Sequence, residues 1–528
     1  MKDAFQAVGI AVVASWYKIV YNYLIVPISI TIVLILLAFV DTGLYAAGIR
    51  FPASVLGMLI LFLTLIGLSV VSRKSLSKVL KIINVPLDLP LREIGLCFTP
   101  AFVTLPLSPP ISIAEAFTIG AVFLIGYLFW FAAVSYLILA LRLIPFLKSV
   151  PERRDEPADQ LDEELQPMES HFEVDTSHDP ILRTPSPVAE PEIAAGSITN
   201  MSMNTAMFSA PSNTLFPPAD ATPSPAQELA KYLLLYQDAI IWSLFFLVGL
   251  IVYAFTGHSL FIDGPINVLA YMAAKQLKSP WNKVLHPILT ASALTVFGIF
   301  LVSLAASGGN AAEFLPAIRS YRTGRTYNTL VGPQSVPLAG IWPGAGDVLA
   351  SLLSVSIVSL ALPMFNYRAG MRGNTTLLLI CTTISAVACF FLYPLISFKV
   401  GISSTRALAM AARSATLALA LPMLTSLGAS EVTGSAVAIL SGILGVLIGD
   451  KLFKWLRIRD DDYLLRGIVQ GINSSAVATA DMLTKFPRAG AIASLSFAIY
   501  GTQLVILSAI PAISGVVRQM VDLPAAVS

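Results

Sequence analysis

The run AFTIGAVFLIGYLFWFAAVSYLILAL, Ala116 to Leu141, holds 26 consecutive residues without a charge. As an α-helix rising about 1.5 Å per residue it reaches roughly 39 Å, more than the roughly 30 Å hydrocarbon core of a bilayer. A helix apolar on every face must be buried in a large core or in lipid. Outward from it the pattern recurs at Leu24 to Val40, Phe51 to Ser72, Ala239 to Gly257, Pro287 to Ala312, Val348 to Tyr367, Asn374 to Phe398 and Ala489 to Val517. None alternates with the period of two that a membrane barrel strand requires. In lipid a lone segment satisfies its own backbone only as a helix, so the expected fold class is an all-α polytopic membrane protein. Composition agrees. Apolar residues make up 56% of the 528-residue chain and charged ones 12%, with a mean hydropathy of +0.78, whereas soluble domains carry about 25% charged residues.

A formal net charge of +2 gives no reason to expect nucleic acid as a partner; membrane lipid is the expected one. Local basic clusters report topology instead. Arg73, Lys74, Lys78, Lys81 and Arg92 fall between the second and third spans, in what reads as a cytosolic loop by the positive-inside rule. About four spans precede Arg142, Lys148, Arg153 and Arg154, which puts that cluster, the N-terminus and the segment that follows on the same side. Met1 to Tyr23 has no strong apolar run of a cleavable leader, so the first span is expected to act as its own insertion signal. Cys97, Cys381 and Cys389 sit in apolar stretches without CxxC spacing and read as buried packing residues. His171, His178, His258 and His286 lie outside the spans or at their edges. With no HExxH, Walker loop, GxSxG or metal-ligand spacing, neither a catalytic residue, a metal nor a cofactor is expected, and the chain does not read as an enzyme.

Three parts are legible: a membrane half over 1–147, a bridge over 148–230 and a second membrane half over 231–517. The bridge is rich in Pro, Ser, Thr, Asp and Glu, too poor in apolar area to offset chain entropy, and reads as a disordered cytosolic linker. Its Thr184-Pro185, Ser186-Pro187 and Ser224-Pro225 pairs are candidate phosphorylation sites beside the simpler reading of a tether. In the second half the apolar runs are interrupted by GIWPGAGD at Gly340 to Asp347, GISSTR at Gly401 to Arg406 and GINSS at Gly471 to Ser475. Irregular backbone is tolerated at membrane depth only inside protein or along a polar cavity, and interrupted helices point to a transporter binding site.

Ser403, Ser404 and Thr405 are suited to cap a helix that runs on to about Pro422, and a helix N-terminus favours anions. Arg406 lies in its first turn, and Arg413, seven residues on, would return to the same face. Two guanidiniums there would grip a carboxylate, since arginine presents a planar fork; the alternative is interfacial arginines pairing with lipid phosphates. The second interruption offers Asn473, Ser474, Ser475 and Thr479 as donors toward a small organic acid. Asp481 is either a coupling proton carrier or a partner of Arg406 or Arg413. Asp347, after GlyAlaGly, is a second coupling candidate that reads better as a helix cap. Ser441 to Gly449 repeats small residues every fourth position, for close helix packing within or between protomers. Lys454 to Asp462 reads as a solvated loop, and a homo-oligomer is compatible with the pattern.

Two groups of motifs carry a family resemblance. RFPASVLGMLILF at Arg50 to Phe62 with LCFTPA at Leu96 to Ala101 resembles the LrgA/CidA family of four-span membrane proteins. SSTRALAM from Ser403, GILGVLIG from Gly442, LRIR from Leu456 and RGIVQGINSSAVATA from Arg466 resemble the LrgB/CidB family. The resemblance spans about 24–147 and 232–515 and implies a fusion of the two, with a four-helix LrgA-like domain and an LrgB-like transport domain. It further implies transport of small monocarboxylates or hydroxy acids of the glycolate, glycerate or pyruvate class by alternating access, with a holin-like pore as the alternative. The chain departs from the family pattern where Ser474-Ser475 replaces a Ser-His pair and Ser404-Thr405-Arg406 a Thr-Thr-Pro-like run, both within the proposed site.

Overall fold

The computed structural model describes residues 2–49, 51–144, 225–277, 286–331, 342–366, 368 and 374–524. Among them every regular element is helical, and nine helices are long and apolar enough to cross a bilayer. The chain is an all-α, multi-pass membrane protein.

Helix α1 (Lys2–Val20) continues through a π-helical turn, Tyr21–Ile25, into α2 (Val26–Ala46). The residues ahead of the expected first span are therefore helical too: Phe5–Ala46 is one apolar helix of 42 residues. The π turn sits just before Pro27, which has no N–H to give to the turn behind it. After α3 (Ala53–Val71), the basic stretch expected to be a loop is instead α4 (Arg73–Arg92), capped by Ser72, whose hydroxyl accepts from the Ser75 N–H. Leu76, Val79, Leu80 and Ile83 of α4 pack with α2 and α3, so the helix is amphipathic. Its basic residues and its two prolines hid that periodicity. The short helices α5 (Ile94–Cys97) and α6 (Thr99–Val103) lead to α7 (Ile113–Leu141), which Ser112 caps.

The bridge expected over 148–230 lies outside the described residues as far as 224. Its last residues are not bridge, because α8 (Pro225–Leu235) buries Ala226 and Ala230. Next comes α9 (Gln237–Thr256), whose Leu244, Leu247, Val248, Ile251 and Phe255 are exposed, as a lipid-facing span requires. It ends at Gly257, whose φ of 72° is the left-handed cap that closes a helix. α10 (Leu260–Lys275) folds back between α9 and α11 (Pro287–Ala306). α12 (Phe314–Tyr321) and α13 (Tyr327–Val331) are short connectors before α14 (Ala345–Ser359) and its continuation α15 (Ala361–Asn366).

The remaining helices enclose the core. They are α16 (Thr375–Lys399), α17 (Ser404–Ala409) with a 3-10 turn at Met410–Ala412, α18 (Leu417–Leu427), α19 (Glu431–Trp455), α20 (Tyr463–Lys485), α21 (Pro487–Ala509) and α22 (Pro511–Gln519). The run Ala489 to Val517 is thus not one span; Ile510 is extended ahead of Pro511, whose missing N–H ends the helix.

One core joins Val55, Phe123, Phe131 and Val134 from the first half to Phe390, Leu419, Phe453 and Ile472 from the second. Helix α7 is pinned to the second half at three levels: Glu115 near its start, Gly126 and Tyr127 midway, and Arg142 just past its end. Arg142 donates from both terminal nitrogens to Asp462, at 2.6 and 2.8 Å. Asp462 is therefore a partly buried anchor rather than part of a solvated loop. Tyr127 lies 12 residues from Glu115 and 15 from Arg142, or roughly 18 and 22 Å along the helix, so it marks the middle of the span.

Candidate functional site

The helix expected to run from Ser403 to Pro422 is broken. After α17 and its 3-10 turn, Arg413 to Thr416 form a non-helical bridge into α18, where Thr416 is extended at φ −64° and ψ 132°. Arg406 and Arg413 do not share a face. The second interruption is sharper: within α20, Ser475 has φ 56° and ψ −157°, a region open almost only to glycine. Such strain persists only where packing enforces it. Here α19 does so, through the glycines noted in the sequence. A Cβ on Gly445 would lie 2.4 Å from the Cβ of Ser474, and one on Gly442 would lie 2.7 Å from Val477. The Ser441 to Gly449 repeat therefore packs within the chain and holds α19 against the break.

At the crossing of the two interruptions sits Arg413, 1% exposed. Its Nη2 donates to Asn473 Oδ1 at 2.9 Å, while Nε and Nη1 have no partner among the described residues, and no carboxylate pairs with it there. The guanidinium stacks 4.7 Å from the Tyr393 ring centre and 5.8 Å from that of Tyr127. Cation–π contacts offset part of the cost of burying the charge and leave its in-plane N–H groups at Nε and Nη1 unfilled. The surrounding hydroxyls are held in place. Tyr127 and Ser474 are hydrogen-bonded at 2.9 Å, as are Ser414 and Tyr500, and Tyr393 donates to the Gly126 carbonyl at 2.7 Å. Gly126 is required there, since a Cβ would fall 2.6 Å from the Tyr393 ring. Ser441 donates to the Arg413 carbonyl, and Thr416 Oγ1, at the start of α18, is buried without a partner. Among the described residues, then, this is a buried cation with two free donors, beside a free hydroxyl and a helix N-terminus.

The expected donors therefore separate into two groups. Arg413, Asn473 and Ser474 come together, with Ser475 supplying the backbone break. Ser403 and Arg406 are elsewhere and already hold a carboxylate, that of Glu115. The Ser403 N–H and hydroxyl donate to Glu115 Oε1 at 2.9 and 2.7 Å, and Arg406 Nη1 donates to Oε2 at 2.6 Å. Arg406 Nη2 donates to the carbonyls of Pro109 and Pro110, both at 3.1 Å. Ser404 and Thr405 open α17, where the Thr405 carbonyl accepts from Ser430. Thr479 turns its hydroxyl back to the Ser475 carbonyl at 2.9 Å. Asp481 pairs with Lys485 one turn along at 2.7 Å, not with either arginine. Asp347 is a cap: Gly344, Thr323 and Gly324 donate backbone N–H groups to it, and the Thr323 hydroxyl adds a fourth bond. Tyr127, Tyr393, Ser414 and Tyr500 were missed. They lie inside apolar runs, where a tyrosine facing lipid headgroups and one facing a buried cation look alike.

A separate cavity of about 460 Å³ lies between the two halves. Ser54 and Pro100 line one side, Leu421 and Pro422 of α18 another, and the Arg322–Glu431 pair, at 3.3 Å, contributes its charged groups. Arg413 is not among its lining residues, but α18 begins at the Arg413 bridge.

Residues 267–513 match the model of the LrgB-like family. Over 248 residues the chain is 25% identical to the Arabidopsis thaliana protein named plastidal glycolate/glycerate translocator 1, chloroplastic, an overlap of 47% of this chain and 44% of that one. The chain thus matches less than half of the translocator's length. Over 231 residues it is 22% identical to the holin-like protein CidB of Staphylococcus aureus, covering 44% of this chain and 86% of CidB. No solved structure matches. Both interruptions and the Arg413 centre fall within the residues that match the LrgB-like family model.

Proposed function

We propose that the chain is a secondary carrier of small monocarboxylates or hydroxy acids, of the glycolate, glycerate or pyruvate class, and that Arg413 holds the substrate carboxylate. The observation that supports this reading is the pair of unpartnered N–H groups on a fully buried guanidinium where two interrupted helices cross. A carboxylate accepting from Nη1 would neutralise the charge, while Nε–H, on the opposite edge of the guanidinium, would meet a second acceptor of the substrate. Thr416, Ser474 and Tyr127 stand ready for the rest of a short hydroxy acid. Similarity to a protein named as a glycolate/glycerate translocator points the same way.

Alternating access would move the half-helices around this centre. Residues 1–147, in this reading, are an LrgA-like accessory domain that contributes Tyr127 to the site and Glu115 to a latch on Ser403 and Arg406, with 148–224 as a cytosolic linker. The centre is closed by packing, which favours a carrier over the holin-like pore that the CidB similarity suggests.

Counterflow uptake of radiolabelled glycolate, glycerate and pyruvate into liposomes holding the purified protein tests the proposal. Saturable uptake with mutual competition is expected. Non-saturable leakage of unrelated solutes would overturn the carrier and leave the pore.

A further inference from the structure

Asp263 lies in the first turn of α10 and is 2% exposed. Its Oδ2 is buried without a hydrogen-bond partner, and among the described residues no Lys, Arg or His nitrogen pairs with it. Among the described residues no counter-charge of the neighbouring elements pairs with it: Arg319 of α12 is exposed, and the His258 ring, ahead of Ser259, lies 5.2 Å from that of Trp342. From α9 it faces the Tyr253 phenol, from the preceding turn the Ser259 hydroxyl, and from α12 the Tyr321 phenol. Helix α11 has no ionisable side chain. Arg322, next to Tyr321, is paired with Glu431. The start of α14 brings only Asp347, whose oxygens are taken up by the cap. The other charged groups of α10 and α5 are Lys275 and Glu93, paired with each other at 3.0 Å three turns away from Asp263.

A lone carboxylate in such a place carries a large desolvation cost that the neutral acid avoids. The site also has a polar connection. Asn267, one turn along α10 and fully buried, donates to the Tyr321 hydroxyl at 2.6 Å and accepts from Thr99 at 3.0 Å. Tyr321 and Thr99 immediately precede Arg322 and Pro100, both of which line the 460 Å³ cavity. On its other side that cavity is walled by α18, the helix that begins at the Arg413 bridge.

We propose that Asp263 is a proton-binding site that couples proton movement to substrate movement, taking its proton on the unpartnered Oδ2. The step is a simple transfer. One O–H bond forms on Oδ2, one breaks in a hydronium ion, and water is left. Protonation removes a buried, uncompensated negative charge from α10, while the substrate carboxylate compensates the uncompensated positive charge at Arg413. The two sites are then loaded together without net charge left buried. This role rests on the carrier reading above.

The test uses the full-length chain in liposomes, with glycolate as probe. Asp263→Asn, which keeps size and hydrogen bonding, should retain counterflow exchange at equal pH and lose the extra accumulation that an inward proton gradient drives in the wild type. Gradient-driven accumulation in Asp263→Asn equal to wild type would overturn the proposal. A second readout is independent of transport: the infrared difference spectrum between acid and alkaline pH. A protonated-carboxyl band present in the wild type, lost in Asp263→Asn and kept in Asp263→Glu supports the site even if no solute is carried. Absence of that band from the wild type overturns it. Wild-type protein with the band but no saturable counterflow would sink the carrier reading alone.

Discussion

Replacing Arg413 with Met removes a buried cation while keeping an unbranched side chain that can fill the space. Three contributions decide the outcome for stability. The hydrogen bond from the charged group to Asn473 is lost, at about 1.5–3 kcal/mol. The desolvated stack on Tyr393, at 4.7 Å, is lost as well, at about 2 kcal/mol. Against these stands the relief of burying an ion with no counter-charge, several kcal/mol after relaxation. The sum lies near zero, so Arg413→Met should unfold within about 2 kcal/mol of wild type or later. Binding behaves differently. Truncating one partner of a buried charged pair costs roughly 2–5 kcal/mol, about 30-fold to several thousand-fold in affinity. The assay follows thermal unfolding in detergent with and without glycolate, beside counterflow in liposomes. Saturating glycolate at about 100 times the wild-type Kd should stabilise wild type by about 2.7 kcal/mol and the variant by less than about 1 kcal/mol. A variant destabilised by more than about 4 kcal/mol that still transports would show that Arg413 is a structural pin and not a ligand group.

Ser475→Gly should raise stability by about 1 kcal/mol, because glycine accepts φ 56° and ψ −157° without the penalty serine carries; a lower unfolding midpoint in a chemical or thermal melt would show that the serine is unstrained. Gly445→Ala places a Cβ 2.4 Å from that of Ser474, so a loss of about 1–3 kcal/mol with slower uptake is expected, and wild-type behaviour in both would show that α19 can shift freely. In a double-mutant cycle, Glu115→Gln and Arg406→Gln should couple by about 1 kcal/mol in stability while counterflow by either single variant stays saturable. Loss of saturable uptake in both would return Ser403 and Arg406 to the substrate site.

Much of this architecture was legible in one dimension. Charge-free runs such as Ala116 to Leu141 leave a helix across lipid as the only outcome, because hydrocarbon offers no partner for an open backbone. The interruptions at Gly401 to Arg406 and Gly471 to Ser475 were visible as polar residues inside apolar runs, and the motifs around them carried the family resemblance. Helical periodicity, however, assumes an unbroken helix. It placed Arg406 and Arg413 on one face, and the four non-helical residues from Arg413 to Thr416 undid that inference. No local rule predicts that break, since Ala, Arg, Ser and Thr are all tolerated in helices; the packing around Arg413, including the bond from Ser441, holds it open.

Which charges are satisfied was likewise beyond the reach of spacing. Glu115 and Arg406 are separated by 291 positions, Arg142 and Asp462 by 320. Their pairing depends on how α7 lies against the second half. The same docking brings Tyr127 to Ser474 and closes the wall around Arg413. Asp481 and Asp263 look equivalent in the sequence, each a lone acid beside an apolar run. One reaches Lys485 a turn away, and the other, among the described residues, faces phenols and a hydroxyl. From the sequence alone came the helices, their membrane setting and the two places where they break, because lipid constrains each segment separately. Tertiary structure decided which buried charge is left without a partner, because a partner is a matter of distance in space, and the residues that meet at Arg413 come from widely separated stretches of the chain.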